Sequence, residues 1–504
     1  MTAGAFTQGG GGFGGQSLRV HPPNHTAESS RQGRGGCPGL DRLRDNDQVT
    51  HVAIIGGGPG GYEAALVAAR LGAKVTVIER DGLGGSTVLT DCVPSKTLIA
   101  TSDLLTEVEG AAELGIEVPR DIRADLAAVN ARVKRLALAQ SGDIGARLAH
   151  HDIDVIKGTA QIESPGVVVA MTDAGSQRIE AESILLATGA HPRTSPNAQP
   201  DGERILTWEQ VYELTELPEH LIVVGSGVTG AEFASAYNGL GARVTLVSSR
   251  DRVLPGEDAD AANVIEAVFT RRGMQVMGTS RMASVQRQGD CVLVTLTDGR
   301  TVEGSHCLLA LGSIPNTEGL GLDNVGVRIG EGGFIQVDKV SRTTTRGIYA
   351  AGDCTGVLML ASVAAQQGRI AMSHSLGDAV RPLDLEKVAS NIFTAPEIAT
   401  VGVSQLKIDE SGLQADVATI PLSSNPRAKM QGVHDGFVKL FARRGMGIII
   451  GGVVVGPRAS ELIHSVSLAV SASLTVDQMA EAFTVYPSVS GSVAEVARRM
   501  HRQI

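Results

Sequence analysis

Two apolar runs set the frame of this chain, and the same arrangement follows each. His51-Val52-Ala53-Ile54-Ile55 is continuous apolar sequence, the pattern of a strand buried on both faces of a parallel sheet. Gly56-Gly57-Gly58-Pro59-Gly60-Gly61 follows, then an alanine-rich stretch from Tyr62 to Gly72 that predicts a helix. A second strand runs from Lys74 to Ile78 and is closed by Glu79. Leu221-Ile222-Val223-Val224 repeats the first run, with Gly225-Ser226-Gly227-Val228-Thr229-Gly230, a helix from Ala231 to Leu240 and a strand from Arg243 to Val247 behind it. Between the two units, Ile122, Leu126, Val129, Val133 and Leu136 step by four and three, one face of a helix packed on a core. Residues 154–180 alternate and carry turn signals, which predicts a β-meander. Near residue 381 the composition changes, and strands are expected around Val433–Ala442 and Ile448–Gly456, with helices from Ser460. Residues 1–48 are glycine-rich and show no apolar period. They read as a disordered tail or as a translation start set too early, the second favoured because the fold signal begins abruptly at His51.

The glycine spacing carries chemistry. Gly56 permits a tight turn, Gly58 lets main-chain amides approach a pyrophosphate, and Gly61 lets helix and strand pack closely. The helix N-terminus adds partial positive charge, and Glu79 is placed to accept hydrogen bonds from a ribose. Gly225, Gly227 and Gly230 repeat the device, so two dinucleotides are expected. The second unit lacks a carboxylate at the end of its second strand and reads Ser248-Ser249-Arg250-Asp251-Arg252. Nothing there repels a 2′-phosphate, and Arg250 and Arg252 can pair with one. This leans towards NADPH, or use of both NADPH and NADH.

Length and composition narrow the classes. At 504 residues, 42% hydrophobic and 19% charged, the chain suits about three domains at roughly 100–200 residues each. A net charge of −10 argues against a nucleic-acid surface. No apolar run reaches the ~18 residues of a spanning helix, so no integral membrane segment is expected. The cysteines are Cys37, Cys92, Cys291, Cys307 and Cys354, an odd count with no metal-spaced pair. No metal site follows from them, and they suggest a reducing cytoplasm. Cys37, Cys291 and Cys307 read as small buried hydrophobes.

The segment Gly84-Gly85-Ser86-Thr87-Val88-Leu89-Thr90-Asp91-Cys92-Val93-Pro94-Ser95-Lys96 resembles the active-site segment of the class I flavoprotein (pyridine nucleotide) disulfide reductases. That family carries two cysteines five residues apart before a Pro-Ser-Lys helix start. Cys92 and Pro94-Ser95-Lys96 match, but Thr87 stands where the first cysteine should be. Ile184 to Ala190, Ala310 to Asn316 and Gly347 to Asp353 resemble the family's strand leaving the flavin domain, its return strand and its second flavin motif. The resemblance implies an α/β fold of two Rossmann-like domains and a C-terminal α+β dimerisation domain. Residues 49–200 and 312–380 would bind FAD, 201–311 NAD(P), and 381–504 would form the interface of a homodimer or a larger homo-oligomer. It implies FAD contacts from Gly85, Ser86, Thr188, Gly189, Gly312 and Asp353, and from Ala361 at the start of a helix. Lys96 and Glu232 align with a pair that sits beside the flavin. Cys92, just ahead of a helix N-terminus, is expected to favour its thiolate.

The family's last loop carries a histidine and, five residues on, a glutamate; here Tyr486 and Gly491 stand there. First cysteine, base and orienting acid are all missing, so dithiol exchange lacks its groups. This set of departures resembles the actinobacterial NAD(P)H quinone reductases first named as lipoamide dehydrogenases. The activity implied is transfer of hydride from NAD(P)H to FAD and of two electrons to a quinone, with Tyr486 as a donor or stacking surface. A dihydrolipoyl dehydrogenase and a redox sensor that holds FAD without turnover are the alternatives.

Overall fold

The computed structural model describes residues 49–119 and 121–501. The stretch 1–48, including Cys37, lies outside them. His51–Ile55 forms the centre of a five-stranded parallel sheet, in the order Ile348–Ala350, Ser183–Leu186, His51–Ile55, Lys74–Glu79, Asp154–Lys157. Four of its five residues are buried, as a strand with helices on both faces requires. The helices Pro59–Arg70 and Ala361–Ser375 pack against each other. Glycine makes their crossing close: a Cβ on Gly368 would sit 2.0 Å from the Gly60 carbonyl oxygen.

The expected meander over 154–180 is shorter. Asp154–Lys157 joins the parallel sheet beside Thr76–Glu79, and the antiparallel strands are Thr159–Ser164, Val167–Thr172 and Gly175–Glu180. The helix with the four-three period runs over Leu126–His150, because Asp125 accepts from the Ala128 N–H and starts it there. Ile122 therefore falls outside it, and Leu136 lies on its exposed side. Its buried stripe is Leu126, Asn130, Val133, Ala137, Ile144 and Leu148.

A second parallel sheet has the order Gln275–Met277, Arg243–Val247, His220–Val224, His306–Leu309, Ile205–Leu206. Its helix begins at Val228, not Ala231. The chain passes between the two sheets along an antiparallel pair, Ala190–Pro192 outward and Ser313–Pro315 back. A third, antiparallel sheet, Ala389–Ile392, Glu397–Gly402, Ile449–Gly456, Phe437–Arg443 and Ala415–Pro421, ends the chain with the helices Ala459–Ala472, Val476–Glu481 and Gly491–Met500. Cys307 is buried as expected, and Cys354 is buried too. Cys291 is not: it opens the strand Cys291–Leu296 half-exposed, since alternate positions of that strand face outward.

Candidate active site

A cleft of about 720 Å3 opens at the carboxyl ends of the first sheet's strands. Open α/β sheets gather ligands at this edge, because strand ends and helix starts leave main-chain groups unpaired there. Gly56 turns the chain at φ +104°, and a Cβ on it would lie 2.2 Å from the Ala187 carbonyl oxygen. A Cβ on Gly61 would lie 1.9 Å from the Gly56 carbonyl oxygen, so Gly61 sits beneath the turn, where strand and helix meet. Gly58 has nothing within 4 Å of that position, which leaves its backbone open to the cleft. Glu79 is buried at the neighbouring strand end. Its carboxylate accepts from the N–H groups of Gly57 at 2.5 Å, Asp81 at 2.7 Å and Gly82 at 3.2 Å. A carboxylate has about four acceptor sites, so Glu79 clamps the turn and keeps capacity for a sugar hydroxyl.

At the other end, Gly85, Ser86, Thr87, Asp91 and Cys92 line the cleft with Thr188, Gly189, Asp353 and Ala361. Gly84, at φ +94°, starts the short helix Gly85–Leu89, and the long helix Cys92–Gly110 follows. Thr188 and Asn316 hold the two crossing segments together: Thr188 Oγ1 donates to the Asn316 carbonyl at 2.7 Å, and Asn316 Nδ2 to the Thr188 carbonyl at 2.9 Å. Burial, and the charge of Asp91, raise the Asp353 carboxyl to about 6.

Lys96 and Glu232, one on each nucleotide unit's side of the chain, meet at 2.8 Å. Glu232 is buried and also accepts the main-chain N–H of Phe393 at 2.9 Å. The Phe393 ring lies 4.9 Å from the Lys96 ammonium, and the Ala395 N–H donates to Ser235 Oγ at 3.0 Å. Burial opposes the charge of Lys96, but Glu232 above all outweighs it and holds the ammonium above its usual range.

Cys92 departs from expectation. It is the first residue of its helix, yet burial, seconded by the Asp91 carboxylate, pushes its thiol up to about 12 against the pull of Lys96. The helix end's partial charge is outweighed by loss of water and an adjacent carboxylate. The thiol is protonated at neutral pH.

The second glycine turn repeats the first. A Cβ on Gly225 would lie 2.1 Å from the Ala310 carbonyl oxygen and one on Gly230 1.8 Å from the Gly225 carbonyl oxygen, while Gly227 faces open space. Ser248 is buried and bonded to Ser226 at 2.7 Å, fixing the loop that carries the exposed Arg250. Gly312, at φ +86°, lies where the chain turns back towards the first sheet. Tyr486 does not line the cleft of its own chain; it is exposed with Phe483 and Val485. Asp91, His191, Glu209 and Asn316 line the cleft without having been singled out from sequence. Asp91 was visible as a carboxylate beside Cys92. The others sit on irregular crossings without a period, and Phe393 contributes main chain, which no side-chain pattern reports.

Residues 50–368 match the family model described as pyridine nucleotide-disulphide oxidoreductase, and residues 388–497 match its dimerisation domain. The chain belongs to the pyridine nucleotide-disulphide oxidoreductase family. It is an oxidoreductase of the class I fold, of a family that works with flavin and NAD(P)H. Over 463 residues it is 54% identical to a Mycobacterium tuberculosis protein named NAD(P)H dehydrogenase (quinone), covering 90% of this chain and 94% of that one. The crystal structure of LpdA from Mycobacterium tuberculosis superposes with a TM-score of 0.87 at 54% identity, over 90% of this chain and 100% of that one. A dihydrolipoyl dehydrogenase of Zymomonas mobilis is more distant, 32% identical over 451 residues, 88% of this chain and 96% of that protein.

The pyridine nucleotide-disulphide oxidoreductase fold is thus retained around a cleft that Thr87 and Cys92 both line. Among the described residues every cysteine is free. No described helix is long and apolar enough to cross a membrane.

Proposed function

We propose that this protein is an NAD(P)H dehydrogenase that reduces quinones. The observation that carries the reading is the pairing of an intact Lys96–Glu232 contact at 2.8 Å with a Cys92 thiol pushed up to about 12. A thiol that stays protonated is a poor nucleophile for dithiol exchange, and Thr87, Tyr486 and Gly491 supply neither a second sulfur nor a base.

In this reading Gly56, Gly58, Gly61 and Glu79 hold the diphosphate and ribose of FAD. Gly85, Ser86, Thr188, Gly189, Gly312, Asp353 and Ala361 line the flavin's path. When bound, FAD supplies the two-electron relay between nicotinamide and acceptor. The chain's own groups orient and exclude. Gly225, Gly227 and Gly230 seat the pyridine nucleotide, and Arg250 with Arg252 favours NADPH by pairing its 2′-phosphate. Lys96, its charge held by Glu232, stabilises negative charge that develops beside it. Residues 49–200 with 312–380, 201–311 and 381–504 act as flavin, nucleotide and interface domains. The protein works as a homodimer in the cytoplasm, with Tyr486 of the exposed loop reaching a second copy.

Purified protein loaded with FAD is assayed with NADPH or NADH and menadione, and separately with NAD and dihydrolipoamide. Quinone reduction is expected to dominate. Dihydrolipoamide oxidation at a comparable rate would reject the reading in favour of a dihydrolipoyl dehydrogenase. A flavin that NADPH leaves unbleached over minutes would point to a sensor without turnover.

A further inference from the structure

The loop 248–258 joins the strand Arg243–Val247 to the helix Ala259–Arg271 and carries both Arg250 and Arg252. On the reading that these arginines pair a 2′-phosphate, on which this inference rests, whatever holds the loop also sets the choice between NADPH and NADH.

The near side of the loop is tied to the second glycine turn. Ser248 is buried, bonds Ser226 Oγ at 2.7 Å and accepts the Arg250 N–H at 3.1 Å. Leu254 donates its N–H to the Ser226 carbonyl at 2.9 Å. Leu254 stands there at φ +52°, a left-handed conformation that is costly for a bulky side chain, and it is buried. Such a conformation persists only where its surroundings over-determine it. The loop therefore needs a hold on its far side as well.

That hold comes from the third sheet. The loop ends at Asp258, whose carboxylate caps the helix Ala259–Arg271 by accepting the Asp260 N–H at 3.1 Å and the Ala261 N–H at 3.3 Å. Both its oxygens also accept from Lys439 Nζ, each at 2.9 Å, and Lys439 donates to Asp260 at 2.5 Å. The Lys439 and Asp258 side chains are only 4% and 3% exposed. Between Asp258 and Leu254, the Glu257 N–H donates to the Leu254 carbonyl at 3.0 Å. The connection from Lys439 to the glycine turn is thus short and made of hydrogen bonds throughout. An apolar pair of similar volume would fasten two modules as well as a buried ion pair does, since desolvation consumes most of the attraction. What the ammonium adds is direction: it fixes one carboxylate, and with it the end of the loop, at one point.

We propose that Lys439 is a positioning residue for nucleotide choice. By pinning Asp258 it holds Arg250 and Arg252 beside the glycine turn, where a 2′-phosphate is read. The third module thereby sets the selectivity of a site built on the second sheet.

The test compares FAD-loaded wild type, Lys439→Met and Lys439→Met/Asp258→Asn. Each is measured by kcat/KM for NADPH and for NADH with menadione, and by calorimetric binding of adenosine 2′,5′-bisphosphate against 5′-AMP. Lys439→Met should lower the NADPH:NADH ratio on the order of 10-fold, the low end for a hydrogen bond to a charged group, chiefly through the KM for NADPH. Affinity for the bisphosphate should fall by a similar factor, and affinity for AMP by less. Lys439→Met strands a buried carboxylate and should melt earlier. Asp258→Asn removes that charge and keeps a good helix cap, so the double variant should recover melting temperature but not selectivity. In a chain carrying Arg250→Ala and Arg252→Ala, Lys439→Met should leave the ratio where it is, because the groups it positions are gone. Equal weakening towards both nucleotides, or a ratio that falls as far without the arginines, would make Lys439 a fastener alone and overturn the proposal. So would an unchanged ratio in the double variant. If the arginine replacements themselves leave the wild-type ratio unmoved, the 2′-phosphate reading is rejected instead, whatever Lys439→Met does.

Discussion

The Cys92 sulfur shows how far a single residue can depart from the motif that contains it. Its place at a helix start argues for a thiolate, and that much is legible in sequence. The opposing facts are not: the thiol is largely withdrawn from water, and the Asp91 charge lies beside it. Alkylation by iodoacetamide at neutral pH should therefore be slow on folded protein and fast once it is unfolded, as mass spectrometry of the Cys92 peptide would report. Cys92→Ser should retain quinone turnover, since no thiolate takes part. Lys96 and Glu232 lie 136 positions apart, and their meeting followed from resemblance to a family, not from spacing. The third member of that contact, Phe393, carried no signal because its bond is made by main chain.

Among elements, the two glycine turns were the most legible, since each position answers to a distance. They also separate folding from binding. A Cβ on Gly230 would lie 1.8 Å from the Gly225 carbonyl oxygen, whereas at Gly227 it meets open space in an extended backbone any residue adopts. Gly230→Ala should lower the melting temperature markedly. Gly227→Ala should melt as wild type but show a raised KM for NAD(P)H, because its methyl takes space a pyrophosphate needs. Boundaries were harder to read. The four-three period spilled past Asp125 to Ile122, since apolar spacing does not report where a cap begins a helix. Asp103, on the helix Cys92–Gly110, faces Glu397 from the third sheet. Burial first, then Glu397 and Glu107, raise its carboxyl to about 6, with Arg272 opposing. Free aspartate titrates near ~3.9. The folded state therefore holds this proton more tightly between those limits, and the site's contribution to stability falls as pH rises through them. Asp103→Asn should remove that slope and raise the melting temperature at neutral pH, as calorimetry across pH would show.

For the whole molecule, sequence separated two parallel sheets and a third module, but not how the third is fastened. Lys439 in the third sheet is buried and pairs with Asp258 at 2.9 Å and Asp260 at 2.5 Å, across from the second sheet. Such pairs leave no trace in periodicity. The loop with Phe483, Val485 and Tyr486 is exposed in one chain, an apolar surface of the kind a partner covers. Phe483→Asp should weaken self-association in sedimentation velocity without lowering the secondary-structure content.

The amides of Phe393 and Ala395 tie the third module to Glu232 and Ser235 beside the reactive pair. Being main-chain groups, they are indifferent to which side chains neighbour them, proline excepted. An exchange of C-terminal modules between relatives could thus tolerate wide divergence in composition at this seam, provided the donor segment arrives at the same height and angle. The seam reads shape, and a hybrid enzyme would succeed or fail there on geometry before chemistry was consulted.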